Sequence, residues 1–265
     1  MKTDIRTDMN HERRKRPRIA IGVYREKEGY DEKVYRAADS VKPLNFSVVV
    51  VDEGDETEKV LMELLERGEV DAAVRGTARA SVLIPKLRKY GKIARLALLE
   101  TAEGKRFILA PVGVDEGETL TDRIFLAEEG VRLAAKLGLQ TRIAILSGGR
   151  KSDLGRSQRV DRTLAEGEFL ATHLSEKGYA ARHYGIVIEE AVKEADVIIA
   201  PDGISGNLIF RSLCLVGRGI EHGAPVVGLP FIFVDTSRAQ SHEGYVRALK
   251  LAAKLASGEV DEGVS

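Results

Sequence analysis

The sequence has a single cysteine, Cys214, among 265 residues, which excludes a disulfide within the chain. A lone thiol suits the reducing cytoplasm, and the apolar spacing around Cys214 predicts a place in the core. No apolar run approaches the roughly 20 residues that a membrane-spanning helix needs. The polar first residues also contain no signal-peptide core. We therefore expect a cytoplasmic protein without a membrane partner.

An excess of one charge is also absent, since 41 Lys and Arg residues balance 41 Asp and Glu residues. This balance does not favour a nucleic-acid partner, and residues 1–17 are interpreted as a disordered basic tail. Charged residues make up 31% of the chain, whereas Asn and Gln occur only three times each. Such a composition is typical of proteins from thermophiles.

The sequence lacks the usual metal and nucleotide patterns. Its histidines are scattered, with no H-x-H or H-x-x-x-H spacing, and we predict no metal site. The glycine-rich segment at 147–156 does not have the spacing of a Walker A loop. No G-x-G-x-G loop follows the first predicted strand. The sequence therefore requires no cofactor.

What the sequence does contain is an alternation of strand-like and helix-like segments from residue 18 to residue 256. Alternation of this kind predicts an α/β protein with a mostly parallel sheet and helices on both faces. The chain is long enough for two such units, and the polar stretch at 137–142 is the predicted seam between them.

The organising stretch is residues 195–217. An apolar run at 197–200 predicts a buried strand, and Pro201 ends it because proline has no N–H for a ladder. The next six positions form a polar, glycine-containing turn before a helix. Open α/β sheets bind ligands at such turns, where helix N–H groups favour anions. The candidate anion-binding residues here are Asp202, Ser205, Gly206 and Asn207. A plain capped turn was the alternative.

Three further loops follow predicted strands and carry groups suited to an anion. Their candidate residues are Arg75, Gly76 and Thr77 in the first, Ser147, Gly148, Gly149, Arg150 and Lys151 in the second, and Ser237, Arg238 and Ser241 in the third. The alternative to an anion site in the second loop is a solvated basic segment that binds no ligand. We predict that an anion lies between residues 147–150, 206–207 and 237–238.

The segment PDGISGN at 201–207 matches the PD-x-x-x-GN signature of the phosphate acetyltransferases and phosphate butyryltransferases. Residues 70–87, LSGGRKS at 146–152, APVGVDEG at 110–117 and SRAQSHEG at 237–244 also resemble segments of that family. The resemblance implies an isocitrate/isopropylmalate dehydrogenase-like fold, with two α/β lobes flanking a cleft, and a homodimer. Because the C-terminal segment of the family returns to the first lobe, the implied lobes are residues 18–137 plus 236–258, and residues 138–235.

The chain is shorter than those enzymes and taken whole is most similar to the archaeal MtxX family, methanogenesis marker protein 4, which carries a methyltransferase label. This resemblance implies a methyltransferase linked to methanogenesis, and a methyl donor or coenzyme A as the possible cofactor. The residues themselves do not indicate methyl transfer.

The late element carries the main departure from the acetyltransferases. The resemblance implies that Ser237 and Arg238 bind or polarise an acyl phosphate, but the family's catalytic aspartate corresponds to Gly244. Glu243 is a candidate catalytic replacement although it is out of register, and His242 is another. Losing a positioned base typically costs about 10²–10⁴-fold in rate. We therefore predict binding of a phosphate-bearing ligand with little acetyl phosphate:coenzyme A acetyltransferase turnover.

Three classes of function stay open at this point. The first is a methyl or acyl transferase acting on a small anionic or phosphorylated substrate. The second is an oxidoreductase of the wider fold, and the third is a non-catalytic protein that binds a phosphorylated ligand.

Overall fold

The computed structural model describes residues 16–25 and 29–258. Nearly all of the predicted tail, residues 1–15, lies outside the described residues. The strands are β1 (Arg18–Gly22), β2 (Ser47–Val51), β3 (Ala72–Val74), β4 (Ala94–Arg95), β5 (Ala97–Glu100), β6 (Arg106–Ala110), β7 (Ile143–Leu146), β8 (Ala181–Gly185), β9 (Val197–Ile199), β10 (Ile220–Val227) and β11 (Ile232–Asp235). The helices are α1 (Tyr30–Ser40), α2 (Thr57–Glu66), α3 (Ala80–Leu87), α4 (Leu120–Leu137), α5 (Gln158–Glu176), α6 (Ile188–Glu194), α7 (Gly203–Arg211) and α8 (His242–Ser257).

The strands form a sheet in the order β2-β1-β3-β11-β10-β5-β6-β9-β7-β8, with β4 beside β10. Both flanks are parallel, because β1 pairs with β2 and β3, β11 with β3, β9 with β6 and β7, and β8 with β7. The centre is antiparallel, since β10 runs against β4, β5 and β11, and β5 runs against β6. The predicted α/β class with a mostly parallel sheet is confirmed.

Chain order and sheet order differ at the centre of the sheet. β5 and β6 come early in the chain but pair with β10 and β9, whereas the late strand β11 lies beside β3. Periodicity identifies a strand but not its neighbours in the sheet. The predicted seam at 137–142 lies in the chain between β6 and β7, and both of these strands pair with β9. The division into lobes 18–137 plus 236–258 and 138–235 stays a prediction.

The final helix returns to the strands from the start of the chain. α8 packs on α1 and on strands β1, β3, β10 and β11. Its buried face includes Tyr245, Ala248, Leu249 and Ala252, all fully buried. Ser241 begins the helix by accepting a hydrogen bond from Gly244 N at 3.3 Å.

The two faces of the sheet have different cores. On one face a continuous apolar cluster runs under α1, α4, α5 and α8, from Ile19 in β1 to Ile145 in β7. On the other face the apolar residues form two clusters, one under α2 and α3 and one under α6 and α7. No helix in the described part of the chain is both long and apolar enough to cross a membrane.

Candidate functional site

The signature turn after β9 is a capped helix start. Asp202 has an extended backbone, and its Oδ1 accepts a hydrogen bond from Ser205 N at 2.7 Å. Gly206 N donates to the Asp202 carbonyl at 3.0 Å. Two of the amides that we expected to face an anion are therefore used within the turn, and Asp202 stabilises the first turn of α7.

The other signature residues press the turn against the loop at 111–117. A Cβ on Gly203 would overlap the carbonyl oxygen of Gly113, and one on Gly206 would overlap that of Pro111. Asn207 Nδ2 donates to the Val112 carbonyl at 2.7 Å. The two glycines and the asparagine thus serve close approach between α7 and this loop.

Loop 111–117 is in turn bound to the middle of the sheet through Arg95. Glu116 Oε1 accepts from Arg95 Nε at 2.7 Å, and Glu116 Oε2 accepts from Gly113 N at 3.2 Å. Arg95 lies between Ala94 and Leu96 in the chain, and the side chains of both neighbours belong to the continuous core. Its side chain therefore points to the opposite face, where the two separate clusters lie.

A buried ion pair joins the ends of β3 and β11. Arg75 Nε donates to Asp235 Oδ1, and Arg95 Nη1 lies 3.6 Å from Asp235 Oδ2. Burial by itself would raise the pKa of Asp235, but the charges of Arg75 and Arg95 hold it below its usual range. The Arg75–Asp235–Arg95–Glu116 cluster, called the arginine cluster below, links the strands of both flanks.

The loop that contains Arg75 is also fixed by its own backbone. Gly76 has φ +61°, and a Cβ there would overlap the Gly22 carbonyl, so only glycine fits this turn. Thr77 is buried and its Oγ1 accepts from Tyr24 N at 2.8 Å. Thr236 Oγ1 donates to the Gly76 carbonyl at 3.0 Å. The first and third predicted loops therefore lie side by side.

The second predicted loop follows β7 and is fixed by side chains from β8 and α5. Ser147, 3% exposed, has its Oγ 2.9 Å from His183 Nε2, and His183 Nδ1 lies 3.1 Å from Glu168 Oε2. Gly148 N donates to Thr163 Oγ1 at 3.0 Å. This order resembles a nucleophile triad, but the serine is buried and one neighbouring amide is already bonded. We interpret it as support for the loop.

The cationic side chains of that loop face solvent. Arg150 and Lys151 are exposed, and Lys151 Nζ lies 3.8 Å from Glu168. Arg159, at the start of α5, has its Nη2 3.9 Å from Asp202 Oδ2. Since β7 pairs with β9 in register, the second loop and the signature turn are neighbours.

The late element leads from β11 into α8. Ser237 and Arg238 are half-buried, and Ser237 Oγ accepts from Ala239 N at 3.2 Å. Ser241 is exposed and caps α8. Glu243 is exposed, and the Ser241 side chain, with a further contribution from its own backbone, lowers its pKa. A carboxyl with a lowered pKa is a weak proton acceptor at neutral pH.

The structure thus groups the predicted residues into two pairs of loops, 75–77 with 235–241 and 147–151 with 202–207. Their common use for one anion stays a prediction. The sequence did not identify three residues that the structure adds to these loops, namely Arg95, Glu116 and Asp235. One signal was present, since Arg95 breaks an apolar run. Within residues 16–25 and 29–258, no three His, Cys, Asp or Glu side chains cluster as metal ligands would.

The chain is similar in sequence to several known proteins. No protein-family model matches it. It is 49% identical over 209 residues to the "Putative methyltransferase mtx subunit X" of Methanosarcina mazei, covering 78% of this chain and 74% of that one. It is 24% identical over 220 residues to the phosphate butyryltransferase of Clostridium acetobutylicum, covering 75% of this chain and 72% of that one.

Among solved structures, the branched-chain phosphotransacylase from Enterococcus faecalis V583 matches with a TM-score of 0.68 at 19% identity, over 91% of this chain and 99% of that one. This likeness establishes the fold, which is that of the phosphotransacylases. The identity and coverage shared with the Methanosarcina protein establish the family: the chain belongs to the mtx subunit X (MtxX) family.

Proposed function

We propose that the protein is a methyltransferase of the MtxX type, linked to methanogenesis and built on a phosphotransacylase-like scaffold. Its substrate is a small anionic or phosphorylated molecule bound in an interlobe cleft. The observation that carries the proposal is the docking of the signature turn on loop 111–117, which the arginine cluster connects to loops 75–77 and 235–241. A fixed arrangement of strand-end loops of this kind is what an anion site requires.

Methyl transfer is supported by the names that the relatives carry. The relative compared above bears a methyltransferase name and comes from a Methanosarcina species. The chemical identity of the methyl donor stays open. A methyl donor or coenzyme A is the cofactor to test first.

An acyl-phosphate transferase is the second candidate. The fold favours it, and the resemblance of residues 237–244 to that family implies that Ser237 and Arg238 bind the acyl phosphate. Gly244 speaks against it, because glycine cannot accept a proton. The same glycine favours a third candidate, a non-catalytic protein that binds a phosphorylated ligand.

We further propose a cytoplasmic homodimer from a thermophilic archaeon, with neither membrane nor nucleic acid as partner. The source of the relative supports an archaeal origin, the charged composition supports a thermophile, and the single cysteine suits a reducing cytoplasm. The homodimer is what the resemblance to the phosphate acetyltransferases implies.

A ligand panel tests the proposed function. Inorganic phosphate, acetyl phosphate, coenzyme A, S-adenosylmethionine and NAD are compared by thermal shift and calorimetry. We expect the phosphate compounds to raise the melting temperature, and Arg238→Ala to weaken their binding about tenfold or more. Arg132→Ala, on the exposed part of α4, is the matched control. If no anion of the panel binds, the proposed site is wrong, and stabilisation by NAD alone would favour an oxidoreductase.

A further inference from the structure

Helix α7 has a buried face and an exposed face that is apolar as well. Gly203 and Gly206 are buried where the helix contacts loop 111–117. On the outer side, Ile204 is 59% exposed and Leu208 is 61% exposed. These two residues are four positions apart, so they are neighbours on the helix surface. Within the described part of the chain, the fold therefore leaves a pair of large apolar side chains of α7 in solvent.

The exposed apolar surface continues around this helix. After α7, residues Ser212–Val216 form a π-helical turn, in which Leu215 is 37% exposed and Val216 is 88% exposed. Beside the start of α7, Val114 is 63% exposed and follows Gly113 in the loop on which the signature turn docks. Monomeric proteins rarely expose so many large apolar side chains in one region, and such patches mark contact surfaces. The set is called the α7 patch below and consists of Val114, Ile204, Leu208, Leu215 and Val216.

Most of the α7 patch forms a stripe along one side of the helix. Ile204 and Leu208 lie one α-helical turn apart, and a π-helical turn takes more residues than an α-helical turn. The wider turn brings Val216 onto the same side as Leu208, in agreement with its 88% exposure. An apolar stripe of this kind is what one helix presents to another helix. The patch therefore fits a helix rather than a small molecule.

Opposite charges stand at the two ends of the stripe. Arg218 follows Val216 by two residues and is exposed, and its side chain makes no hydrogen bond or ion pair within the part of the chain that the structure describes. Asp202 precedes Ile204 by two residues, and its Oδ2 lies 3.9 Å from Arg159 Nη2, too far for a hydrogen bond. In an antiparallel pair of such stripes, Ile204 faces the partner's Val216. Asp202 then faces the partner's Arg218, and a two-fold axis forms both contacts twice.

We propose that the α7 patch is the contact surface with a second copy of this chain, in which the two α7 helices pack antiparallel about a two-fold axis. The apolar side chains form the centre of the interface, and the exposed residues 211–212 and 217–219 form its rim. The occupant is a second copy because the stripe and the charges at its ends complement themselves. Asp202 belongs to the signature turn, so the partner's Arg218 adds a cation beside each candidate anion site.

This inference rests on the homodimer included in the proposed function, and it specifies where the two copies meet. Sedimentation velocity of the full chain measures the dissociation constant of the dimer. We expect Leu208→Asp to raise this constant at least about a hundredfold, because each dimer loses two buried leucine side chains. Val216→Asp is a second variant of the same kind. Phe169→Asp, at a 51% exposed position of α5, is the matched control and should keep the wild-type value.

Arg218→Glu tests the register of the two helices. It should raise the dissociation constant about tenfold at low salt, because two carboxylates then face each other. Combining it with Asp202→Lys restores opposite charges and should recover the dimer. Asp202→Lys alone should not recover it, since two cations would then face each other.

The outcomes separate the interface from the dimer itself. A dimer that survives Leu208→Asp and Val216→Asp, or that Phe169→Asp dissociates equally, overturns the inference alone. Failure of the double variant to recover the dimer also overturns it. A wild-type chain that stays monomeric at every concentration contradicts the proposed homodimer, and the inference fails with it. Thermal unfolding confirms that the variants are folded.

Discussion

Gly203 and Gly206 of the signature turn have no room for a larger side chain. We expect Gly206→Ala to destabilise the protein by about 1–3 kcal/mol or more, because its Cβ would overlap the Pro111 carbonyl and backbone atoms cannot move aside cheaply. Urea unfolding measures the change as a lower midpoint at unchanged slope. Arg132→Ala, at an exposed position of α4, is the control and should cost less than about 0.5 kcal/mol. Equal losses would contradict the close-packing argument.

Glu221 gives a pH-dependent prediction at the same scale. Its pKa rises from the ordinary 4.5 to about 7 in the folded protein. A raised pKa means that the contribution to stability is complete below pH 4.5 and is lost as the pH rises through 7. The loss amounts to about 3 kcal/mol, and Glu221→Gln should avoid it. Urea unfolding of both proteins at pH 5 and pH 8 tests this, and parallel pH profiles would show that the carboxyl titrates normally.

The sequence identified the signature residues but not all of their roles. Spacing alone shows an aspartate, glycines and an asparagine before a helix, and it predicts amides free for an anion. The partners of Gly206 and Asn207 are carbonyl groups 95 residues earlier in the chain, and no local pattern encodes them.

At the scale of elements, the start of α7 depends on its cap. Asp202→Ala should cost about 1 kcal/mol, because Ser205 N loses its acceptor, whereas Asp202→Asn should cost clearly less since asparagine also caps helices. Thermal or urea unfolding of the two variants separates cap from charge. If both lose the same stability, the negative charge matters rather than the hydrogen bond.

Element types followed from the sequence more easily than element ends. The buried strands β1, β7 and β9 and the long helices α4, α5 and α8 agree with their apolar periodicity. β2 also forms as its apolar run predicts, but it is an edge strand and mostly half-buried. The exception is β10, predicted over 224–229 but present at Ile220–Val227. Its first residues pair with β5 across a bulge, and a register shift of this kind leaves no period in the sequence.

At the scale of the whole molecule, the interaction to remove by mutation is the ion pair of Arg75 and Asp235 in the arginine cluster. Arg75→Ala leaves buried Asp235 with only Arg95, and we expect a loss of about 3–5 kcal/mol. The double variant Arg75→Ala/Asp235→Ala should lose less than the sum of the two single variants, because no unpaired charge stays buried. The exposed pair Arg132 and Glu129 is the control cycle, with coupling below about 1 kcal/mol. Additive losses at Arg75 and Asp235 would show that the pair is not coupled.

The same pair sets the acid limit of the fold. The pKa of Asp235 is below its ordinary value of 3.8, so its contribution is present above that value and is lost as the pH falls further. We expect wild type to lose stability below about pH 4 more steeply than Asp235→Asn, as measured by urea unfolding from pH 5 to pH 3. Curves of equal steepness would exclude this role.

The overall strand order could not be obtained from the sequence. Alternation predicts a parallel sheet, but nothing local shows that β11 inserts beside β3 or that β5 pairs with β10. These pairings depend on which apolar faces meet in the finished core, and that is decided over more than a hundred residues of chain.

The place of β11 also has a consequence for synthesis on the ribosome. β3 emerges early, yet β11, its neighbour toward the centre of the sheet, follows about 160 residues later, together with α8, which packs on β1 and β3. Strands β6, β7, β8 and β9, by contrast, are all made before β10 begins. The nascent chain can therefore assemble the β6-β9-β7-β8 flank first, whereas β1 and β3 must wait for α8 to be translated before it can cover their apolar face.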